Sequence, residues 1–469
     1  MSAAGYIFLA CTLLWAIWQF GRDVHSGMCS LLGLLVFLPA MLEIPLPDGV
    51  PQARVHRMLL LIALFFLAKN RYFSGRSERT PYMGWLVLFG LAQLASLLAG
   101  SFFGAGLSQV IDYVMEVVVF FVLITAYIQK EPQIVARLLA AVCYGLGAVA
   151  VLAAMQKYLN FVPVPALIPD ARRAWMEDTD IASTYPHRIL FGYAMAMGVP
   201  LALALASGIS ERPKRLRMYG IALLLVAATY LSTSRGPWLG LVIALVATAV
   251  LGGKVLRKKL ALMAVLTAAV LILRPGVRDT IKNLYLETFE ADSQKAESYQ
   301  TRWDLWHVAW TEIRRTPTTF LFGLGPASAE NMDFTSYFEG EGATSAFVKI
   351  GHTSWDNNYA SDLIEYGAVG FVMELILFAS IAAGLIRNWR RADEHSRALR
   401  AGLGISCVVF FFAMTNVFIF SPQLTYFFWA LAAIGSNSSW AVNGPVLAEA
   451  DAAAAPSEPS LDFSHAPTA

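Results

Sequence analysis

Long apolar runs separated by short polar connections fill the chain from residue 4 to residue 440. Read at about 20 residues per membrane crossing, they predict helices over 4–20, 28–43, 57–69, 82–99, 108–128, 134–155, 188–207, 221–233, 238–252, 259–273, 367–386, 401–419 and 424–440. Several runs are shorter than a full crossing, so the pattern predicts twelve or thirteen helices. Two segments break the rhythm, 156–187 and 274–366, and both are long enough to do more than connect. After residue 441 the periodicity stops, and an Ala/Pro/Ser-rich tail follows that reads as disordered.

Composition agrees with this reading. Of 469 residues, 57% are hydrophobic and only 14% charged, well below the roughly 25% of soluble domains. The fold class expected is all-α, a polytopic transmembrane helix bundle with one large, partly helical outer loop domain. The chain divides into N-terminal helices (1–155), helices with an outer loop (156–273), the loop domain (274–366), C-terminal helices (367–440) and the tail (441–469). The first apolar run has no basic leader and no small-residue cleavage site, so it does not read as a removable signal. Net charge is +2, and nothing in its distribution calls for nucleic acid. Almost half of the 35 Lys and Arg residues lie in the short loops 69–80, 211–218, 253–259 and 387–400, which faces those loops to the cytoplasm. The segments 156–187 and 274–366 then lie outside and the C-terminus inside; the N-terminus is external if all thirteen runs cross. The four cysteines lie in or beside apolar runs, which leaves no thiol metal site in the outer loop.

Candidate chemistry begins at Leu231-Ser-Thr-Ser-Arg-Gly-Pro-Trp-Leu239. Here Arg235 stands between two apolar runs. The bland reading is an arginine anchoring a helix end at the interface. Against it, Gly236 permits close backbone approach, and hydroxyls from Ser232, Thr233 and Ser234 surround a fixed cation. That set suits a lipid-linked phosphate.

The outer segment 274–366 holds eight basic and fourteen acidic residues. Within it, Tyr299 to Ile313 reads as a helix with Trp303, Trp306 and Trp310 on one face and Arg302 a turn before Trp306. An amphipathic surface helix with an aromatic belt explains this, and so does a lid whose tryptophans contact sugar while Arg302 reaches phosphate. Pro317 is expected to end the helix and Gly323-Leu-Gly325 to form a turn. The segment closes on Gly351-His-Thr-Ser-Trp-Asp-Asn-Asn-Tyr359, where His352 and Asp356 are the two candidates for a base that takes a proton from a sugar hydroxyl. Asp356, Asp362 and Glu365 are otherwise explained by a helix N-terminus, which favours acids. In-span Asp112 and Glu116 are compatible with an ion path, and hence a transporter. Their bland reading is hydrogen bonding to each other or to Tyr113.

In order along the chain, four stretches resemble the O-antigen ligase and polymerase superfamily. They are Thr184-Tyr-Pro-His-Arg-Ile-Leu-Phe-Gly192; the Ser-Arg-Gly turn; Ser298-x3-Arg302-x3-Trp306-x2-Ala309-x3-Ile313-x3-Pro317 with Gly323-x-Gly325; and Asp356-Asn357-x-Tyr359-x3-Leu363-x-Glu365-x-Gly367. The resemblance spans roughly 170–375. It implies a multi-pass inner-membrane enzyme active on its periplasmic face, moving glycan from an undecaprenyl-diphosphate-linked oligosaccharide to a growing polysaccharide or other glycan acceptor. No metal or other cofactor is implied. Membrane lipids surround the protein, and other polysaccharide export proteins are possible partners. In this reading Arg235 and Arg302 bind the diphosphate, with Asp356 or His352 as base. Ser234, Arg172, His187, Arg188, Trp303, Trp306, Asn357, Tyr359 and Glu365 contact substrate. Ligases of the superfamily typically carry His directly before the Asn of the last motif. This chain has Asp356 there, closer to the polymerase and exopolysaccharide branch. Polymerase and ligase both stay open.

Overall fold

A computed structural model describes residues 1–44, 52–74, 79–169, 181–251, 257, 305–332, 355, 357–419 and 421–440. Twelve long helices build it: α1 (Ala3–Arg22), α2 (Val24–Phe37), α3 (Val55–Lys69), α4 (Met83–Ala99), α5 (Phe103–Lys130), α6 (Val135–Leu159), α7 (Arg188–Gly208), α8 (Arg212–Leu231), α9 (Arg235–Leu251), α10 (Asn358–Arg391), α11 (Glu394–Met414) and α12 (Pro422–Ser436). Each falls on one of the apolar runs; the thirteenth, 259–273, lies outside the described residues. Six helices are long and apolar enough to cross a membrane by length and composition. The described part is thus an all-α multi-pass membrane protein. The exception is a two-stranded antiparallel hairpin, Glu43–Ile44 with Ala53–Arg54, joining α2 to α3.

Local signals set the helix ends. Ser2 caps α1 by accepting from the Gly5 amide at 3.1 Å. Asp23 stands between α1 and α2 and accepts from the Ser26 amide at 2.9 Å, so one carboxylate separates two helices. Asn160, left-handed at φ 53°, stops α6. At the centre is α7, buried along nearly its whole length and packed against α6, α8, α9 and α11. Its Ala- and Gly-rich surface lets neighbours approach closely, as packing between membrane helices requires. On the periphery, α9 turns Leu239, Val242, Val246 and Val250 outward and Pro237, Gly240, Ala244 and Thr248 inward. Those outward residues form one exposed apolar stripe.

Hydrogen bonds between loops gather one end of the bundle. The Ser2 amide donates to the Leu167 carbonyl beyond α6 at 3.0 Å. Gln423 Nε2 at the start of α12 donates to the Thr184 carbonyl before α7 at 3.0 Å. The Ile419 amide after α11 donates to Asn358 Oδ1 at the start of α10 at 3.0 Å. The Ser-Arg-Gly turn and the segment 305–332 lie at this same end.

The decisive local feature is Gly367, where α10 breaks at φ 62°, ψ −169°. A left-handed residue cannot continue a right-handed helix, so nearby carbonyls lose their helical partners. Residues 323–325 supply replacements. The Leu324 amide donates to the Ile364 carbonyl at 2.8 Å, and the Gly325 amide to the Glu365 carbonyl at 3.1 Å. Ser96 Oγ on α4 adds a second bond to the Glu365 carbonyl at 2.5 Å. The backbones touch: a Cβ on Gly367 would stand 2.4 Å from the Gly323 nitrogen, and one on Gly323 2.2 Å from the Glu365 oxygen. Gly323-Leu-Gly325 is therefore a latch on the break in α10, which goes beyond the simple turn expected. Pro317 also differs from expectation. The preceding helix stops at 313, and Pro317 opens a new turn, Pro317–Phe322, capped by Thr316 and Thr319 at 3.1 Å in both directions.

Gly367→Ala should cost at least about 1–2 kcal/mol from the left-handed conformation alone, and more from the backbone collision. Thermal unfolding in detergent is expected to show a clearly lowered Tm; an unchanged Tm would mean the break does not depend on glycine.

Candidate functional site

The Ser-Arg-Gly turn is built by two helices that nearly abut. After α8 the chain runs through Ser232, passes Thr233 at φ 49°, and enters α9 at Arg235. Trp238 Nε1 donates to the Thr229 carbonyl at 3.1 Å while its ring stacks on Tyr230 at 5.3 Å, which holds the turn shut. Arg235 is half-buried and stands at the first position of α9, where unpaired amides and the helix dipole favour an anion. Ser234 beside it is half-buried too.

The start of α7 packs directly under this turn. A Cβ on Gly192 would approach Ser232 Oγ and Pro237 Cβ to 2.7 Å, so only glycine allows the contact. The Tyr193 hydroxyl lies against Gly236. Two of the motifs thereby meet. His187 is exposed and caps α7, its Nδ1 accepting from the Ile189 amide at 3.3 Å; Arg188 is half-buried next to it.

The end of α11 connects this group to α10. The Phe412 ring packs on Tyr193 at 6.2 Å, and the neighbouring Phe411 carbonyl accepts from the Tyr359 hydroxyl at 3.4 Å. Asn357 caps α10 by accepting from the Ala360 amide at 3.2 Å and is buried. Trp306 is half-buried with its ring 6.2 Å from Phe371, which also lies 6.5 Å from Tyr359. Trp310 stays exposed under the Arg314 guanidinium at 5.5 Å. The described site residues thus share one end of the bundle, with Phe411 and Phe412 between the Arg235 turn and the start of α10. Arg172, Arg302, Trp303, His352 and Asp356 lie outside the described residues.

Glu365 sits away from any open surface. It is buried, accepts from Gln109 Nε2 of α5 at 2.7 Å and faces the Ala329 amide at 3.4 Å. Its partners make it a tie between α5, α10 and the 328–331 turn. Asp362 is buried as well, accepting from Asn358 Nδ2. Asn357 does the capping here, while Glu365 reaches α5 and the 328–331 turn and Asp362 bonds Asn358 one turn earlier on α10 itself. Among the described residues no group of three or more His, Cys, Asp or Glu converges as metal ligands do.

The sequence reading missed a charged network beside this site. Arg57, near the start of α3, is buried and bonds Glu116 at 3.0 Å through Nε, Asp112 through Nη2, and the Gln52 carbonyl at 2.8 Å through Nη1. Arg54 approaches Asp112 at 3.5 Å, Glu116 at 3.8 Å and Glu43, its hairpin partner, at 3.4 Å. Asp112 and Glu116 thus rest on two arginines. Tyr113 instead donates to the Leu86 carbonyl at 2.7 Å. The carboxylates share one side of α5 where it widens into a π turn, Tyr113–Val119. One signal was available: Arg57 stands within an apolar run, as do two acids one turn apart, and buried charges come paired. Burial also raises the Glu330 carboxyl above its ordinary range, against the pull of Arg54.

Arg57→Met should strip Glu116 and Asp112 of their main partner and destabilise the protein by about 3–5 kcal/mol, whereas Arg57→Met with Asp112→Asn and Glu116→Gln should recover much of that loss. Tm values for single and combined variants check this; equal Tm values for both would show the network to be of no account.

Comparison with known proteins bears on the same end of the molecule. No curated protein matches the chain. Residues 220–375, which run from α8 through the Ser-Arg-Gly turn into α10 past Gly367, match the family described as O-antigen ligase (Wzy_C). That match covers about a third of the chain and contains the latch, Arg235 and the start of α10; over this segment it supports the resemblance to the O-antigen ligase/polymerase superfamily.

Proposed function

We propose that this protein is a glycan polymerase that transfers an oligosaccharide from an undecaprenyl-diphosphate carrier to a sugar hydroxyl at the periplasmic face of the inner membrane. The observation that carries the reading is Arg235, a guanidinium at the first residue of α9 beside a left-handed turn, within the matched region. A planar guanidinium at a helix N-terminus suits a diphosphate. In the reaction the acceptor oxygen bonds to the anomeric carbon, its proton passes to a base, and the bond from that carbon to the diphosphate oxygen breaks. The electron pair leaves with the lipid diphosphate, where Arg235 and Arg302 offset the growing charge. Asp356 is the proposed base, with His352 as a phosphate or sugar contact. Arg172, His187, Arg188, Ser234, Trp303, Trp306 and Tyr359 are proposed to line the path of the substrate, and Asn357 and Glu365 to hold α10 in position for it.

A ligase that transfers finished glycan to another acceptor is the second reading, favoured by the family description itself. The carrier-linked glycan that accumulates when the protein is removed separates the two. Single repeats on the carrier are expected for a polymerase, and full-length polymer on the carrier for a ligase.

Arg235→Lys keeps the charge but loses the fork, so polymer formation should fall roughly 10²–10³-fold at normal membrane levels of protein. Wild-type polymer from this variant would reduce Arg235 to an interface anchor. Sidedness is checked with single cysteines in a cysteine-free background. Thr318→Cys is expected to react with an impermeant thiol reagent from the periplasm and Arg397→Cys only after the membrane is opened, since both positions are exposed and the basic loops face inward. The opposite labelling would invert the orientation.

A further inference from the structure

Beneath the first segment of α10 lies a cavity of about 210 Å³. It is lined by Gln93 of α4, by Gln109, Asp112 and Glu116 of α5, and by Asn358, Asp362 and Glu374 of α10, with aromatic rings from α11 and α12 closing the rest. Asp362 and Glu374 are twelve residues apart, a separation of about 18 Å along an unbroken helix. The break at Gly367 interrupts α10 between them, and both residues line this one cavity. Two carboxyls buried in one cavity repel each other unless a proton or another cation offsets the charge.

The charge arrangement around the cavity is uneven. Asp112 and Glu116 have Arg57 and Arg54. Among the described residues no Lys, Arg or His forms a salt bridge to Asp362 or Glu374, whose whole residues are 7% and 5% exposed. Three lining oxygens in the cavity have no hydrogen-bond partner: Asp112 Oδ1, which has its ion pair with Arg57, and Glu374 Oε2 and Gln93 Oε1, the last on a residue 3% exposed. Everything unsatisfied here is an acceptor, and the local charge is negative. A buried acceptor cluster of this kind needs a donor or a cation. No three acids, histidines or cysteines among the described residues converge as ligands of a multivalent metal, which leaves a singly charged occupant.

We propose that this cavity binds one monovalent cation, a proton or an alkali-metal ion, between Asp362 and Glu374 with Gln93 Oε1 facing it. The cation ties the two limbs of α10 together across the Gly367 break. It therefore positions the short limb that begins at Asn357, without itself taking part in glycan transfer. The groups that face the pair are Gln93 from α4, Asp112, Tyr113 and Glu116 from α5 with Arg57 and Arg54 behind them, and Tyr359, Glu365 and Tyr366 from α10 itself, with Glu330 of the 328–331 turn bearing on Glu365. Lining residues from α11 and α12 carry no charge.

The test is thermal unfolding of the purified full-length protein in detergent, without any glycan substrate. It is therefore independent of the role proposed for Arg235. Tm is read in sodium, potassium and N-methylglucamine chloride at matched ionic strength over a pH series, for the wild type, Glu374→Gln, Asp362→Asn and the control Glu211→Gln. Glu374→Gln removes the second charge, supplies an amide N–H that can donate to Asp362, and mimics the filled site. Its Tm should match or exceed that of the filled wild type and lose the cation dependence, which the control retains. A wild-type Tm that rises with sodium or potassium at fixed pH identifies an alkali-metal ion. A Tm that falls as pH rises, equally in all three salts and only where both carboxyls are present, identifies a shared proton. Equal dependence in wild type and Glu374→Gln, or none in the wild type, overturns the site. Should the variants fail to fold, infrared spectra of the wild type read the carboxyl C=O band directly. Change in that band on cation exchange or titration supports the site, and its absence overturns it.

Discussion

At Gly367 the chain abandons the helix that it resumes one residue later, and much of the described architecture follows from how that break is held. The freed carbonyls of Ile364 and Glu365 accept from Leu324 and Gly325, so a segment far away in sequence completes the hydrogen bonding of α10. Buried backbone groups must find partners, all the more where lipid surrounds the bundle. Here the partner is backbone, and glycine on both sides lets the chains come close enough. The latch fixes the angle of the 358–366 limb. That limb carries Asn357 and Tyr359 at the candidate site, and it turns Asp362 and Glu365 into the protein.

Charge is placed in the bundle in two distinct ways. Arg57 and Arg54 serve the interior: each meets carboxylates across helix boundaries, and their worth is to make Asp112 and Glu116 tolerable where water is scarce. Arg235 lies at a helix start and is half-buried beside a turn. There the helix dipole lends it nothing and favours an anion near it. Arginines that look alike in an apolar sequence thus stand in different settings, Arg57 within a buried charged network and Arg235 half-buried at a helix junction.

The helices were largely legible from hydropathy. Twelve of thirteen expected runs coincide with described helices, because burial in lipid or among other helices imposes long apolar stretches. The Ser-Arg-Gly turn and its place at a helix junction were legible for the same reason, and the family match over 220–375 agrees with the resemblance read from the ordered motifs. The roles inside the motifs were harder to read. Gly323-Leu-Gly325 looked like a turn because its partner, Gly367, is forty-two residues from Gly325. Glu365 looked like a substrate contact through its place in the last motif, and its hydrogen bond to Gln109, which crosses to another helix, was not legible there.

The sequence by itself determined the all-α class, the position of nearly every helix, the family resemblance over 220–375 and the order of the motifs, since each depends on apolar run length or on residues close along the chain. Tertiary structure alone decided which charges pair, which glycines touch, and which acids face inward. Those outcomes depend on contacts between Arg57 and Glu116, Gly323 and Gly367, or Asp362 and Glu374, pairs separated by at least a helix turn or by a break in direction. Hydropathy carries no record of such separations, because it measures how each residue meets solvent and not which neighbour replaces that solvent.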